Sequence, residues 1–325
     1  MSSIETAAPA KLNLHLRVGD RRGDGFHDIE SLFVALDFGD TLRVEALPDA
    51  PAGSAEVRMD WRIPGAPMPE PRLDSGENIV SRAVSLFRSR SGYGEAIRVT
   101  VEKRIPLGGG LGGGSSDAAA ALLALNRLAL AGKNQAPGRR GLFGAEAIAE
   151  MGAELGSDVP FFAHGAAAAL VSGRGERVRP IALPDEALEL SLLLVNPGFP
   201  SDTAAAFRRL DEHRRSARPD AHSGGARLEE LADALAGPPG SWPFSNDFLP
   251  AFGARAQNGD AAAYAQIISA LIELGADFAS LSGSGSTCFG VFSRKEKAEF
   301  AKNRLLKRWP SVLETFCLRP MQYVW

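Results

Sequence analysis

The chain has 325 residues, a length that allows two domains or one large domain with a sizeable hydrophobic core. Hydrophobic residues make up 45% of it and charged residues 23%, as is ordinary for globular proteins. The 36 basic and 39 acidic residues leave a formal charge of −3, without the clustered basic excess of a nucleic-acid-binding protein. Two cysteines, Cys288 and Cys317, are too few for a disulfide framework.

Targeting and membrane signals are absent from the sequence as it is written. The first residues lack the basic and apolar regions of a signal peptide, and no apolar run reaches the roughly 18 residues of a membrane helix. No group of Cys and His residues has metal-ligand spacing. We therefore expect a cytoplasmic protein that binds neither nucleic acid nor membranes.

Hydrophobic periodicity predicts strands and helices in mixed order along the first half of the chain. Predicted strands cover residues 7–18, 32–44 and 96–105, and predicted helices cover residues 77–90, 116–130 and 146–154. The Pro- and Gly-rich residues 48–75 are expected to form a loop or an irregular edge, and residues 131–144 a surface loop.

The second half is expected to contain strands at 166–171 and 188–195 and helices at 260–274 and 295–308. A glycine-serine turn lies between apolar runs within residues 279–292, and the polar residues 211–227 are expected to form a mobile loop. A polar interruption near residue 172 predicts two domains, 1–172 and 173–325. Because strict βαβ alternation is missing, the pattern favours an α+β fold.

Six of the seven residues from Gly108 to Gly114 are glycine, and this run lies between a predicted strand and a predicted helix. Ordering so many glycines costs backbone entropy, which indicates close approach of the backbone to a bulky group. A helix N-terminus offers unpaired N–H groups and a positive dipole end, both suited to phosphate. The predicted phosphate-binding residues are Gly108, Gly109, Gly110, Leu111, Gly112, Gly113, Gly114, Ser115 and Ser116.

Two common glycine motifs fit this loop poorly. A P-loop needs a lysine after its last glycine, whereas Ser115, Ser116 and Asp117 follow here. The dinucleotide pattern G-x-G-x-x-G fits within residues 108–113, but that motif usually opens a domain and this loop starts a third of the way along the chain. A nicotinamide dehydrogenase therefore remains an alternative function.

Three segments resemble the motifs of the GHMP kinases, the superfamily of galactokinase, homoserine, mevalonate and phosphomevalonate kinases. They are APAKLNL at 8–14, IPLGGGLGGGSSDAA at 105–119 and LSGSGSTCF at 281–289, in the family's order. The resemblance implies a two-domain α+β fold, with an N-terminal domain like ribosomal protein S5 and a ferredoxin-like C-terminal domain. It also implies ATP and Mg²⁺ as cofactors and a monomer or weak dimer.

Further segments resemble one branch of this superfamily, whose members phosphorylate the 2-hydroxyl of a cytidine diphosphate derivative of methylerythritol on a route to isoprenoid precursors. These segments are RRGDGFHDIESLF at 21–33, LDFGD at 36–40, LGSDVPFF at 155–162 and FSNDF at 244–248. The resemblance therefore implies this small molecule as the substrate. Homoserine and mevalonate kinases, and a non-catalytic nucleotide-binding regulator, remain alternatives.

The resemblance assigns catalytic roles to Asp158 and Lys11. Asp158 matches the family's catalytic base, and a carboxylate suits proton removal from a hydroxyl. Its alternative role is a helix cap. Lys11 matches a lysine beside that base, where a cation would keep the carboxylate ionised and favour negative charge on the attacking oxygen. Its alternative is an exposed strand lysine.

Other residues match the family's binding positions. By resemblance, His27 reads the cytosine edge, and Phe26, where the family often has tyrosine, stacks on the base. Thr203 and Phe207 match the opposite face of that base, although Ala204 replaces the proline that often follows the threonine. The alternative for His27 is a surface loop histidine, and the alternative for Phe207 is core packing on a helix. Asn13 is a candidate substrate contact.

Two further groups of residues match positions of the family, one in its adenine pocket and one in a turn beside its active site. Asn78, Ile79 and Lys103 correspond to residues that line the family's adenine pocket, although helix starts and strand lysines are common features. Gly283, Ser284 and Gly285 match a turn that closes over the active site, with an ordinary tight turn as the alternative. Cys288 is expected to be a buried apolar residue rather than a nucleophile.

Overall fold

The computed structural model describes residues 3–62, 78–131, 143–216, 227–253, 260–309 and 311–316. The chain divides into two units, each built from separate stretches of sequence. The first unit contains Met1–Ala10, Gly39–Ile105 and Gly112–Gly165, and the second contains Lys11–Phe38, Pro106–Leu111 and Ala166–Trp325. The domain ranges 1–172 and 173–325 stay a prediction.

Strands and helices are mixed along the described residues, as the sequence predicts. The strands are β1 (Ser3–Arg21), β2 (His27–Ala46), β3 (Ala55–Trp61), β4 (Ile97–Lys103), β5 (Ala168–Gly173), β6 (Arg177–Ile181), β7 (Ser191–Asn196), β8 (Phe278–Leu281), β9 (Cys288–Phe292) and β10 (Ser311–Phe316). The helices are α1 (Ile79–Ser91), α2 (Gly113–Ala131), α3 (Ala145–Leu155), α4 (Val159–Ala163), α5 (Asp185–Leu188), α6 (Thr203–Ser216), α7 (Leu228–Ala234), α8 (Phe248–Gly253), α9 (Asp260–Glu273) and α10 (Lys295–Leu305).

In the first unit, strand β4 pairs with β3 in parallel and with residues Thr41–Ala46 of β2 in antiparallel orientation. Alternate residues of β4, from Ile97 to Lys103, are buried, which matches the period of two of a strand with one buried face. Helix α2 packs against α1, α3 and α4. Its Ala- and Leu-rich sequence favours a helix, and small side chains let the neighbouring helices approach closely.

In the second unit, an antiparallel sheet has the strand order β10-β7-β9-β8. All six residues of β7 are buried, as expected for a strand between two neighbours with both faces covered. Residues Ile29–Val34 of β2 pair with β5, which also pairs with β6. The core of this unit includes Leu193, Val195, Phe248, Ile267, Leu271 and Phe292.

Several local predictions differ from the structure. Residues 48–75, for which a loop or an irregular edge is expected, contain β3, a regular edge strand that pairs with β4. Its charged residues weaken the alternation that would indicate a strand. Helix α6 extends to Ser216, into the predicted loop 211–227, and its last six residues are all polar, which is why they resemble a loop in the sequence. The start of the predicted strand 188–195 is instead the end of α5.

Some predictions fall on residues outside the described ranges. Of the predicted loops, residues 63–75, 132–142 and 217–226 belong to this group, as does Cys317. Cys288 is buried in the core of the second unit, as predicted, and burial raises the pKa of its thiol. None of the described helices combines the length and apolarity that crossing a bilayer requires.

Candidate active site

The part of the glycine loop in the second unit lies against the turn between β8 and β9, which we call the β8–β9 turn (residues 282–287). Three consecutive loop carbonyls accept hydrogen bonds from this turn: Gly108 from the Ser286 N–H (3.3 Å), Gly109 from the Thr287 N–H (3.1 Å) and Gly110 from the Ser282 hydroxyl (2.8 Å). Within the described residues, the backbone N–H groups of residues 108–112 donate to no protein group. The loop therefore turns its carbonyls toward protein and keeps its N–H groups available for an anion.

Gly110 shows why this loop needs glycine. Its φ is 74°, in the left-handed region that side chains disfavour. A Cβ atom at this position would lie 2.1 Å from the carbonyl oxygen of Ser282. Any other residue would therefore strain the backbone and push the loop off the β8–β9 turn.

Polar side chains hold the β8–β9 turn in place. The amide of Asn246 donates to the carbonyls of Leu281 (2.7 Å) and Gly283 (2.9 Å). The hydroxyls of Ser284 and Thr203 lie 3.0 Å apart. Asn246 belongs to the FSNDF segment, and its role in supporting this turn was not predicted.

In the first unit, the starts of α1 and α2 and the segment before α4 come together. The Cβ position of Gly156 would lie 3.8 Å from Ile79 and 3.9 Å from the Ser115 hydroxyl, and that of Gly114 would lie 3.6 Å from Ile79. Asn78 caps α1 by accepting a 2.8 Å hydrogen bond from the Ser81 N–H. The structure therefore brings Ile79 together with the Ser115 end of the predicted phosphate-binding residues.

Ser116 is buried in the first turn of α2. Its hydroxyl oxygen has no hydrogen-bond partner among the described residues. A buried polar atom without a partner is costly, so this hydroxyl fits a ligand such as a phosphate oxygen or a cation. Among the described residues, no cluster of three His, Cys, Asp or Glu side chains could hold a metal by itself.

Lys103 lies behind the start of α2 in a buried ionic cluster. Its ammonium donates to Asp117 at 2.6 Å and also to Asp40. Burial alone would lower the pKa of Lys103, but the attraction of Asp117 and Asp40 raises it above its ordinary value. Burial also raises the pKa of Asp117, to about 7, against the lowering effect of Lys103. The other Asp117 oxygen has no partner among the described residues.

Asp158 directly precedes α4, at the position of its N-cap. Its side chain makes no capping hydrogen bond to this helix, so the capping alternative lacks its defining contact. The side chain is half-buried. Asp158 belongs to the first unit and Lys11 to the second.

Lys11 is a buried lysine on β1, only 4% exposed, so the alternative of an exposed strand lysine is wrong. Its ammonium donates a 2.6 Å hydrogen bond to the Asn13 side chain and lies 4.6 Å from the centre of the Phe33 ring. The Asn13 amide in turn donates to the Ser31 hydroxyl at 3.0 Å. Asn13 thereby orients Lys11, a role that sequence reasoning did not assign to it.

His27 is buried at the start of β2 and stacks on Phe207 of α6, with ring centres 5.0 Å apart and planes at 23°. Its Nδ1 lies 3.0 Å from the Gly19 carbonyl, and its Nε2 lies 3.5 Å from a carboxylate oxygen of Asp211. The neighbouring Phe26 is exposed to solvent over 54% of its surface, in contrast to the buried His27.

Arg174 covers one side of Phe26, with its guanidinium 5.0 Å from the ring centre. In the structure His27 contacts Phe207 and Arg174 contacts the Phe26 ring, and the predicted roles of His27, Phe26 and Phe207 at a cytosine base stay predictions. Arg174 and Asp211 were not predicted. Neither lies in a recognisable motif, so only the fold could reveal them.

Two protein families match this chain, one largely in its first half and one in its second half. The family described as GHMP kinases N terminal domain matches residues 78–166, and that described as GHMP kinases C terminal matches residues 262–311. A protein of Anaeromyxobacter dehalogenans (strain 2CP-1 / ATCC BAA-258), named 4-diphosphocytidyl-2-C-methyl-D-erythritol kinase, is 39% identical over 92% of this chain and 83% of its own. A protein of the same name from Xanthomonas euvesicatoria pv. vesicatoria (strain 85-10) is 36% identical over 93% of this chain and 88% of its own.

Solved structures agree with the sequence relatives. A crystal structure of 4-(cytidine 5'-diphospho)-2C-methyl-D-erythritol kinase is 30% identical, with a TM-score of 0.71 over 97% of this chain and 100% of its own. Homoserine kinase from Cytophaga hutchinsonii ATCC 33406 shares the fold at 18% identity, with a TM-score of 0.64 over 98% of this chain and 95% of its own. The two-domain α+β fold is thereby confirmed, and the chain belongs to the GHMP kinase family, in its branch of 4-diphosphocytidyl-2-C-methyl-D-erythritol kinases.

Proposed function

We propose that the protein transfers the γ-phosphoryl group of ATP to the 2-hydroxyl of 4-diphosphocytidyl-2-C-methyl-D-erythritol. The products are ADP and a phosphomonoester, on the non-mevalonate route to isoprenoid precursors. The observation that carries the proposal is membership of this kinase branch in a chain whose glycine loop keeps its N–H groups available for an anion.

ATP phosphates bind along Gly108–Ser116. The N–H groups of the loop and the dipole of α2 favour negative charge there, and the Ser116 hydroxyl supplies one more polar group. The Ser116 hydroxyl and the ATP phosphates would hold Mg²⁺, which neutralises phosphate charge when it is bound. Asn78, Ile79 and Lys103 line the adenine pocket, and both Ile79 and the Lys103 ammonium lie close to the phosphate-binding residues.

Asp158 accepts the proton of the attacking hydroxyl, and Lys11 stabilises the negative charge that develops on its oxygen. Two observations support these roles: Asp158 does not cap α4, and Lys11 is a buried cation oriented by Asn13. A buried ammonium interacts more strongly with a nearby charge than a solvated one does. Phosphoryl transfer depends chiefly on position and charge, so two such groups suffice.

The cytidine end of the substrate binds near His27, whose ring is fixed by Phe207 and by the Gly19 carbonyl. Phe26 offers an exposed ring face for the base, without the hydrogen bond that a tyrosine hydroxyl would add. Thr203 and Asn13 complete the proposed substrate contacts. A monomeric or weakly dimeric state and a cytoplasmic location stay predictions from the sequence.

The test is a panel of alcohols offered to the purified protein with labelled ATP and Mg²⁺. Transfer of label to 4-diphosphocytidyl-2-C-methyl-D-erythritol, with little transfer to homoserine or mevalonate, is the expected result. Preferred transfer to homoserine or mevalonate would contradict the substrate assignment. ATP binding without transfer to any alcohol would favour a regulator, and NAD binding in place of ATP would favour a dehydrogenase.

A further inference from the structure

Asp40, near the middle of β2, has a buried carboxylate whose two oxygens are both engaged by residues at the end of β4. One oxygen accepts hydrogen bonds from the backbone N–H groups of Arg104 (2.5 Å) and Ile105 (2.8 Å). The other accepts from the ammonium of Lys103. A single side chain that is 1% exposed thus fixes three consecutive residues just before the glycine loop.

The same cluster reaches the far end of the loop through Asp117. Lys103 donates to this carboxylate at 2.6 Å, and Asp117 directly follows Ser116 in α2. Asp40, Lys103 and Asp117 all belong to the first unit and are at most 3% exposed. Asp40 therefore joins the chain before the loop to the helix that starts after it.

Stability alone is a poor reason for such a cluster. Burying charges carries a large desolvation cost, and well-packed apolar residues of similar size often stabilise a fold equally well. Carboxylates and an ammonium instead provide directional contacts, which fix distances and orientations more tightly than apolar packing does. Misplacing a reacting group by about 1 Å can cost roughly 10²-fold in rate.

We propose that Asp40 is a positioning residue for phosphoryl transfer, which sets the place of the α2 N-terminus through Lys103 and Asp117 before ATP binds. This inference rests on the proposed binding of ATP phosphates to Gly108–Ser116. Asp40 touches neither ATP nor the alcohol, and it acts on both ends of the loop. Its loss should therefore affect ATP use and leave the affinity for the alcohol unchanged.

The test compares Asp40→Asn with Val44→Ala, a cavity variant buried on the same strand. Asparagine nearly preserves the shape of Asp40 but turns an amide toward the Lys103 ammonium. Both variants should lower the melting temperature. Only Asp40→Asn should lower kcat/KM for ATP, by about 10- to 100-fold, while KM for the alcohol stays within about twofold of the wild-type value.

Asp117→Asn provides a second variant if Asp40→Asn fails to fold, because Lys103 then keeps Asp40 as its partner. It should show the same selective loss of ATP use. If neither variant lowers kcat/KM for ATP more than Val44→Ala does, the proposal is overturned and the cluster has only a structural role.

Titration of each protein with a fluorescent ATP analogue separates this proposal from the proposed function. If the wild-type protein phosphorylates none of the alcohols, the proposed function fails. Weaker analogue binding by Asp40→Asn than by Val44→Ala would still support positioning, and equal binding would overturn it.

Discussion

The hydroxyl of Ser282 donates a 2.8 Å hydrogen bond to the carbonyl oxygen of Gly110. This contact and its neighbours turn the loop carbonyls toward the β8–β9 turn, so the loop N–H groups point away from these partners. Because a phosphate needs donors, the orientation of this short segment determines whether the loop can bind ATP at all.

Gly110→Ala should weaken ATP binding. The φ of 74° costs alanine roughly 1–2 kcal/mol, and the clash with the Ser282 carbonyl adds to this. We expect KM for ATP to rise about tenfold or more, since about 1.4 kcal/mol corresponds to one factor of ten. Steady-state kinetics with varied ATP provide the measurement. Gly94→Ala is the control, because its Cβ would meet no atom within 4 Å, and an equal effect there would argue against this account.

Lys11→Met should lower kcat by about 10²-fold, the usual cost of removing one charge-stabilising donor. The variant also leaves the Asn13 oxygen without its 2.6 Å donor, so a lower melting temperature should accompany the loss. Arg17→Met, on the same strand, removes an exposed cation and should leave kcat unchanged. Near-normal turnover of a folded Lys11→Met protein would exclude a catalytic role for Lys11.

Asp158→Asn should lower kcat by about 10²–10⁴-fold, the usual loss when a general base is removed. Asparagine keeps the size of the side chain and can still accept hydrogen bonds, so the melting temperature should change little. Differential scanning calorimetry and steady-state kinetics on one preparation test both expectations. A large stability loss with little loss of kcat would reassign Asp158 to a structural role.

His15 predicts a pH dependence of stability. Burial lowers its pKa below the ordinary 6.5, and its Nδ1 accepts a 3.1 Å hydrogen bond from the Ser245 N–H. The unfolded state then binds more protons than the folded state below about pH 7, so this contribution to stability is present above the unfolded pKa and is lost as the pH falls. The free energy of unfolding should decrease from about pH 7 to pH 5 through this residue.

His15→Asn keeps an acceptor near the position of Nδ1 but does not titrate, so it isolates this effect. Urea unfolding at both pH values should show that the free energy of unfolding decreases less on acidification in the variant than in the wild-type protein. The raised pKa of Asp117 acts in the opposite direction, and it is common to both proteins. Equal pH dependence in the two proteins would contradict the role of His15.

Sequence reasoning works best for features whose residues all lie within one short segment of the chain. The glycine loop and the helix after it are adjacent in sequence, and the predicted helix is present as α2. The phosphate site at this loop stays a prediction. The roles of His27 and Phe207 at a cytosine base come from family resemblance and stay predictions, and the structure adds that their two rings stack on each other.

The parts that sequence could not predict depend on tertiary partners. Nothing local to Asp40, Lys103 or Asp117 indicates that they share one buried cluster, because Asp40 lies 63 positions from Lys103. The burial of Lys11 and the contacts of Asn246 with the β8–β9 turn also depend on residues far away in sequence, so they could not be predicted either. The end of helix α6 falls in a predicted loop because its last six residues are all polar.

The position of the new phosphate ester on the substrate can be determined by isotope labelling. The protein is incubated with ATP, Mg²⁺ and 4-diphosphocytidyl-2-C-methyl-D-erythritol labelled with carbon-13 in the methyl group, and the product is examined by phosphorus NMR. The account predicts a new phosphomonoester whose phosphorus couples to the methyl carbon, since both are attached through carbon 2. A phosphomonoester without that coupling would place the phosphate on another hydroxyl, and this result, or no transfer, would contradict the account.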